Sequence, residues 1–401
     1  MFKYTGERRI ERSDKVATEA GGGETHVCYR EDYDAFGRLV SVAENLASNG
    51  AGDCSPGATG LVTTYAYDEA DRLSGVCATG GTAGCDQERF FTYDGRGFLT
   101  SEQHPEIGPG GNGIASYTYD ASGNVLSKDI SGTSDFALRY AYDPANRLIT
   151  VDEVDGPDST RPIKSFHYAR GNDGTDLRAG KLVLSKRTNW VDIIGPLVNP
   201  EVTGTLPVVI SQAYRYQGLD GRVSRRQTRY RFDAGNFAFE TGFAYDQLGN
   251  LSQLEYPRCL HGSCADLDPP RTIDFGHTRG FLSSVTGFAS LTYQQGGMLH
   301  QVIHANGVVE TIDVDPLYPF ERPHSITTTG VTPADWNSGV YEYDGSGNVR
   351  KIGTSVYRYD RMSRLLSGQV QVGGATKAQS LSYDAFGNIL ALTTDGVTLT
   401  T

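Results

Sequence analysis

Apolar and polar positions alternate with a period of two over short runs of this chain, and each run stops at a cluster of turn-forming residues. The stretch "SYTYDASGNVLSKD" at 116–129 shows the pattern. Tyr117 and Tyr119 fall on one face of a strand, because successive side chains alternate across a sheet. Asp120 opens a turn, where its carboxylate can accept from backbone N–H groups further on. Gly123 stands where a three-residue hairpin loop needs φ > 0. "NVLSK" then runs back as the partner strand, so the phrase predicts one β-hairpin.

The phrase recurs with starts at Tyr33, Tyr67, Tyr93, Tyr119, Tyr142, Tyr245, Tyr343, Tyr359 and Tyr383, and weaker copies start at Tyr168, Tyr216, Phe275 and Tyr293. From Tyr33 to Tyr142 the intervals are 34, 26, 26 and 23 residues. A period of this size marks a stacked, quasi-one-dimensional architecture. The structural residues of the turn are Tyr33, Asp34 and Gly37, then Tyr93, Asp94 and Gly97, and Tyr119, Asp120 and Gly123. They return as Tyr245, Asp246 and Gly249, as Tyr343, Asp344 and Gly347, and as Tyr383, Asp384 and Gly387. Three copies carry Asp71, Asn146 and Ser363 in the Gly position. Asp and Asn tolerate the left-handed conformation better than most residues, and Ser363 fits least well. A lone hairpin is marginal in water, so the tyrosines are read as packing against neighbouring copies. Each could contribute roughly 1.5–3 kcal/mol before ordering entropy is subtracted.

Composition agrees with many short strands and tight turns: Gly is 49 and Tyr 23 of 401 residues, against 3 Met. A net charge of −12 argues against a general nucleic-acid binder. No apolar run approaches the ~20 residues of a membrane-spanning helix. The opening "MFKYTGERRIERSDK" lacks the apolar core of a signal peptide. It reads as the middle of a strand, so both ends are expected to be cuts from a longer protein.

Nine copies share Tyr-Asp, two free positions, Gly or a small polar residue, then Arg, Asn or Phe, then Leu, Val or Ile. This closely resembles the YD repeat of Rhs proteins, of the B and C components of insecticidal Tc toxin complexes, and of animal teneurins. The resemblance runs from about Tyr29 to Leu392. It implies an all-β array of antiparallel hairpins wound into a continuous sheet spiral that forms a hollow shell. Toxin members enclose a toxic C-terminal segment, and teneurin shells display adhesion surfaces. Toxin members also end their shell with a self-cleaving aspartyl protease segment built around D-P-x-G. The near match Asp315-Pro316-Leu317-Tyr318 has Tyr for Gly and lies inside the array, so the protease is not carried over.

Insertions interrupt the array at 151–165, 189–207 and 308–340. The first, acidic and turn-rich, reads as a solvated loop. In the second, Trp190 could cap an open edge. The third reads as holding a short helix near "PADW". Long insertions in a repeat array often gather on a binding face, although insulation of a sheet edge accounts for them equally well.

Cys77 and Cys85 flank a Gly-Gly centre, Cys259 and Cys264 flank another tight turn, and Cys28 and Cys54 remain. An even count in hairpin-closing positions favours disulfides and an oxidising compartment. Zinc at Cys259, His261 and Cys264 is the rival, without a second ligand pair at finger spacing, and reduced thiols are the third reading. "GPGGNG" at 108–113 matches a phosphate-loop spacing, but Pro109 interrupts it and a strand follows it. His300 and His304 share one face of a strand that ends in an Asn306–Gly307 turn, which favours packing or surface polarity over a metal pair. In "GRVSRRQTRYRFD" at 221–233, Arg225, Gln227, Arg229 and Arg231 face one way and Thr228, Tyr230 and Phe232 the other. That is an amphipathic strand, with a local anionic partner such as an acidic glycan left open.

The sequence is therefore read as a single non-enzymatic YD-repeat array over 1–401, without cofactor or metal. Its role is that of a shell segment that encloses or carries a polypeptide encoded elsewhere in the parent protein. Its partners would be the rest of that polypeptide or a toxin cargo, with self-association through sheet edges. It would be secreted or at the cell surface, or cytoplasmic before delivery. The competing reading is an extracellular module that binds glycans or a cell surface.

Overall fold

The computed structural model describes residues 2–4, 10–17, 24–47, 60–79, 84–106, 113–131, 137–154, 159–193, 204–217, 221–232, 235–261, 269–318, 322–330, 334–384 and 386–400. Among them the protein is all-β, with no helix. Two compact units are present: Met1–Glu106 with Thr292–Thr401, and Ile107–Leu291.

Within the first unit, an unbroken antiparallel ladder runs strand to strand from Phe2–Tyr4 to Leu99–His104. Further ladders link Leu299–His304 to Trp336–Asn337 and Tyr341–Tyr343 to Val397–Thr400. In the second unit, every strand from Gly113–Tyr119 to Ala289–Tyr293 pairs with the next. Sequence neighbours are thus sheet neighbours.

Strand Gly113–Tyr119 shows how the alternation acts: Gly113, Ala115, Tyr117 and Tyr119 are covered while Ile114, Ser116 and Thr118 are exposed. Fully covered apolar side chains are few; among the described residues they are Cys28, Val42, Ala43, Ala115, Val151, Ala238, Cys259 and Ile273. The repeat tyrosines are half-buried rather than packed in a closed core. Backbone pairing and contacts between adjacent hairpins must therefore supply much of the order.

One feature has no counterpart in the sequence pattern. In all nine strong copies the register slips at the repeat tyrosine. Tyr119 pairs with Val125 but Thr118 pairs with Ser127, so Leu126 is an extra residue in the return strand. Such a bulge bends its strand and raises the local twist. Very different residues occupy the position, among them Val40, Ser74, Leu126 and Arg350, so no side-chain signal announces it.

The interruptions are shorter than the sequence indicates. Residues 151–154 and 160–165 lie in the paired strands Leu148–Val154 and Thr160–Tyr168. The 189–207 stretch extends a long hairpin in which Trp190 pairs with Pro207. In place of a helix near "PADW", Trp336–Asn337 is a short strand pairing with Thr327 and Thr328. Pairing an extended chain with an existing edge satisfies its backbone groups, which a solvated loop of the same length leaves to water. The Gly-rich stretch 108–112 lies outside the described residues.

Gly123 has φ 89°. Gly123→Val places a β-branched residue in that region and should cost roughly 1–3 kcal/mol. Thermal unfolding followed by circular dichroism checks this, and an unchanged midpoint would show that the turn does not need the conformation.

Candidate functional site: the joint between repeats

Each strong copy builds the same cage around its Asp. In the first, the Asp34 N–H donates to Arg38 O at 2.9 Å and the Gly37 N–H donates back to Asp34 O at 3.0 Å. Oδ1 of Asp34 accepts the backbone N–H groups of Phe36 and Arg38, both at 2.9 Å. Oδ2 accepts Nε of Arg38 at 2.7 Å. The same set forms at Asp68, Asp143 and Asp360 with Arg72, Arg147 and Arg364. At Asp120, Asp246, Asp344 and Asp384 the donor to Oδ2 is Nδ2 of Asn124, Asn250, Asn348 and Asn388. Asp94 has Phe98 at this position, and Arg96 supplies Nε instead at 2.9 Å. Arg and Asn alternate here because both carry an N–H that can reach Oδ2.

The cage also reaches the next hairpin. Tyr67 donates its hydroxyl to Leu39 O at 2.8 Å while the Arg38 guanidinium lies 4.9 Å from its ring centre. Tyr93 meets Leu73 O and Arg72 in the same way, at 2.8 and 4.8 Å. The pattern holds for Tyr245 with Val223 O and Arg222, and for Tyr383 with Leu365 O and Arg364. Each of these four joints thus combines a hydrogen bond to a backbone carbonyl with a cation over an aromatic face.

The same joint survives where the sequence repeat is weak. Tyr216 donates to Leu182 O at 2.5 Å, with Lys181 4.9 Å from its ring. Asp315 of the "DPLY" stretch is a buried cage Asp: its Oδ1 accepts the Leu317 N–H at 2.8 Å and its Oδ2 pairs with Arg322 Nε at 3.0 Å. Arg322 then covers Tyr343 at 4.2 Å, and Tyr343 donates to Pro323 O at 2.7 Å. The sequence pattern gives Tyr168 and Tyr216 only as weaker copies and leaves the Asp315 cage unread, because in both places the turn is lengthened between the Ala or Asp that opens it and the cation that closes it.

The three non-Gly residues in the left-handed position share a reason. Asp71, Asn146 and Ser363 have φ of 60°, 58° and 60°. Each side chain bonds to the preceding cage: Arg38 Nη1 donates to Asp71 Oδ1 at 2.5 Å, Asn124 Nδ2 to Asn146 Oδ1 at 2.9 Å and Asn348 Nδ2 to Ser363 Oγ at 3.0 Å. Where Gly occupies the position, Arg72 and Arg364 reach the backbone carbonyls of Asp94 and Asp384, each at 2.9 Å. The poor fit of Ser363 in conformational terms is offset by this contact.

The remaining chemistry-bearing residues stay dispersed. Cys77 is joined to Cys85, with their Cα atoms 5.5 Å apart. Cys28 and Cys259 are also disulfide-bonded; Cys54 and Cys264 lie outside the described residues. His300 Nδ1 lies 2.7 Å from Gln294 Nε2 and 3.2 Å from Ile312 O, while His304 faces Glu310 at 3.4 Å. Among the described residues no three His, Cys, Asp or Glu side chains are placed to hold a metal.

The cages set the carboxylate electrostatics. At Asp68 the Arg72 N–H, and at Asp120, Asp143 and Asp246 the side chain of Asn124, Arg147 or Asn250, is the foremost influence holding the group below its ordinary value of 3.8. Burial is the foremost influence raising the Tyr216, Tyr343 and Tyr359 hydroxyls, which suits groups that act as donors.

Two outcomes follow for stability. A carboxylate depressed in the folded state stabilises it fully above the unfolded value, and that contribution is lost as pH falls through the lower folded value. The melting temperature should thus be insensitive to the cages from neutral pH to about 5 and drop below about pH 4. Asp68→Asn should lower it at neutral pH and shrink the acid drop, both read by scanning calorimetry across pH. Tyr93→Phe removes one joint hydrogen bond while keeping the ring, and should cost about 0.5–1.5 kcal/mol in urea unfolding.

The model of the RHS Repeat family matches residues 119–158. A search of curated proteins finds no match. Among solved structures the fold is similar to the Photorhabdus luminescens Tc holotoxin pore, in a form with a TccC3 mutation: TM-score 0.68 and 15% identity, over 94% of this chain and 19% of that one. It is similar to the crystal structure of TcdB2-TccC3-Cdc42, with TM-score 0.67 and 16% identity over 92% of this chain and 19% of that one. For TcdB2-TccC3 the values are 0.62 and 14%, over 97% and 24%. The chain thus spans about a fifth to a quarter of the chains that it matches. With a caged turn and a bulge in all nine strong copies, the chain is an array of Tyr-Asp hairpin repeats, and its residues 119–158 match an RHS repeat.

Proposed function

We propose that this chain is a length of wall from an Rhs-type shell, and that the shell encloses or carries a polypeptide encoded elsewhere in the parent protein. The observation that supports this best is the ladder itself. Hairpin follows hairpin, and tyrosine joints such as those of Tyr67, Tyr93 and Tyr383 fasten one to the next, so the sheet can lengthen by simple addition of repeats. The likeness to Tc toxin structures over more than nine-tenths of the chain favours the same use of the sheet. The whole of 1–401 is taken as one array belonging to a longer shell. The repeat carboxylates are committed to turns and ion pairs, which fits a mechanical role better than a catalytic one. Free strand edges would join the rest of the polypeptide, or a second copy, by pairing. Delivery as a secreted or surface-borne toxin scaffold follows from the same reading.

The test is protection. The parent protein is produced uncut and treated with protease under native conditions. A segment from outside the array should survive inside the wall and become digestible once the wall is unfolded. Digestion of every other segment at the rate of the unfolded protein would overturn the proposal.

A further inference from the structure

The strand Arg222–Phe232 carries more cation than the joints use. Its register with its neighbours shows where the excess goes. Ser211 stands opposite Lys186 on one side and Arg229 on the other. The next row is Thr188, Val209 and Arg231, and the row beyond it holds Trp190 beside Pro207. These rows share one sheet face, and with Lys164 they line a groove of about 580 Å³. The opposite face holds the aromatic pairs Tyr230–Phe239 and Phe232–Phe237.

The groove's charges are distinctive. Elsewhere on this face Arg225 is paired with Glu255, and Arg258 with Glu240. Arg161, 5.6 Å from the Trp190 ring, is paired with Glu153. Lys164, Lys186, Arg229 and Arg231 have no carboxylate partner among the described residues, and none lines the groove. Like charges set side by side on a sheet are unfavourable, and here they persist in a chain of net charge −12.

We propose that this groove binds an acidic polypeptide segment in extended conformation, with carboxylates at alternate positions over Arg229 and Arg231 and an apolar side chain against Trp190 and Pro207. Arg229 and Arg231 are two residues apart on a strand, so their stems lie about 6.5–7 Å apart, the spacing of alternate side chains in any extended chain. Lys186 stands two strands away from Arg229, at about 10 Å. That is too wide for one small anion to bridge and suitable for a ligand with several charges. The backbone groups facing the neighbouring strands are already used in the ladders. The guest is therefore held by side chains and does not add as a strand. Single-stranded nucleic acid uses a series of stacking aromatics, and the groove offers Trp190 alone. The site is contained in one unit and works whether or not the wall encloses a cargo.

The test is fluorescence anisotropy of the full chain with a labelled peptide of alternating Glu and Leu. Its Gln-Leu analogue, a labelled oligogalacturonate and a labelled oligothymidylate serve as comparisons. The acidic peptide should bind, more weakly as salt rises. The Gln analogue and the variant Arg229→Ala/Arg231→Ala should each weaken binding about tenfold or more. Trp190→Ala should weaken it several-fold, while Arg229→Lys/Arg231→Lys should retain most of it. If the double alanine variant loses its sheet spectrum, Lys164→Gln/Lys186→Gln replaces it with the same expected weakening. No binding of the acidic peptide, unchanged binding by a folded neutral variant, or tighter binding of the uronate or the oligonucleotide would overturn the proposal.

Discussion

A single carboxylate in the turn of each strong copy holds this molecule's repeats in shape. Oδ1 of the cage Asp takes two backbone N–H groups that the tight turn would otherwise leave to water, and Oδ2 fixes the side chain that reaches the next hairpin. Asp is suited to this because its short stem puts both oxygens within reach of the backbone two and four residues on. A Glu would overshoot, and an Asn would supply one acceptor oxygen where two are needed. With so few fully covered apolar side chains, the turn cannot rely on a deep core to hold it.

The residue four places after the Asp makes the array continuous. Arg and Asn both satisfy Oδ2, but they reach different distances beyond it. Arg72 and Arg364 extend to the backbone of the next turn and lie over its tyrosine. Asn124 and Asn348 are shorter, and in both cases the next turn comes to meet them with a polar side chain, Asn146 or Ser363, in the left-handed position. Conformational cost in one repeat is thus offset by a hydrogen bond from its neighbour. Stability of this kind propagates between nearest neighbours, as in other repeat proteins.

The long hairpins of the second unit depart from the repeat in a useful way. Where strands extend past the joint, their two faces are free to differ. The strand Arg222–Phe232 sets aromatic residues on one face and cations on the other, and its neighbours in register complete a groove on the cationic face. The interruptions are accordingly places where the sheet acquires a surface of its own.

The sequence by itself determined what is local. The Tyr-Asp phrase with Gly123 or its equivalents specifies a hairpin, because turn conformation depends on residues within five positions of each other. The bonding of Cys77 to Cys85 was legible for the same reason, since a short turn brings them together. Tertiary structure decided what depends on the distance between strands. The bulge at Leu126 follows from matching two strands after the turn closes, and any side chain can occupy it. The cage at Asp315 was hidden because its cation, Arg322, comes after an enlarged loop. The polarity of Arg229 and Arg231 was visible as alternation. That Lys186 joins them across Ser211 was not, because a period of two assigns faces but leaves the register between strands open.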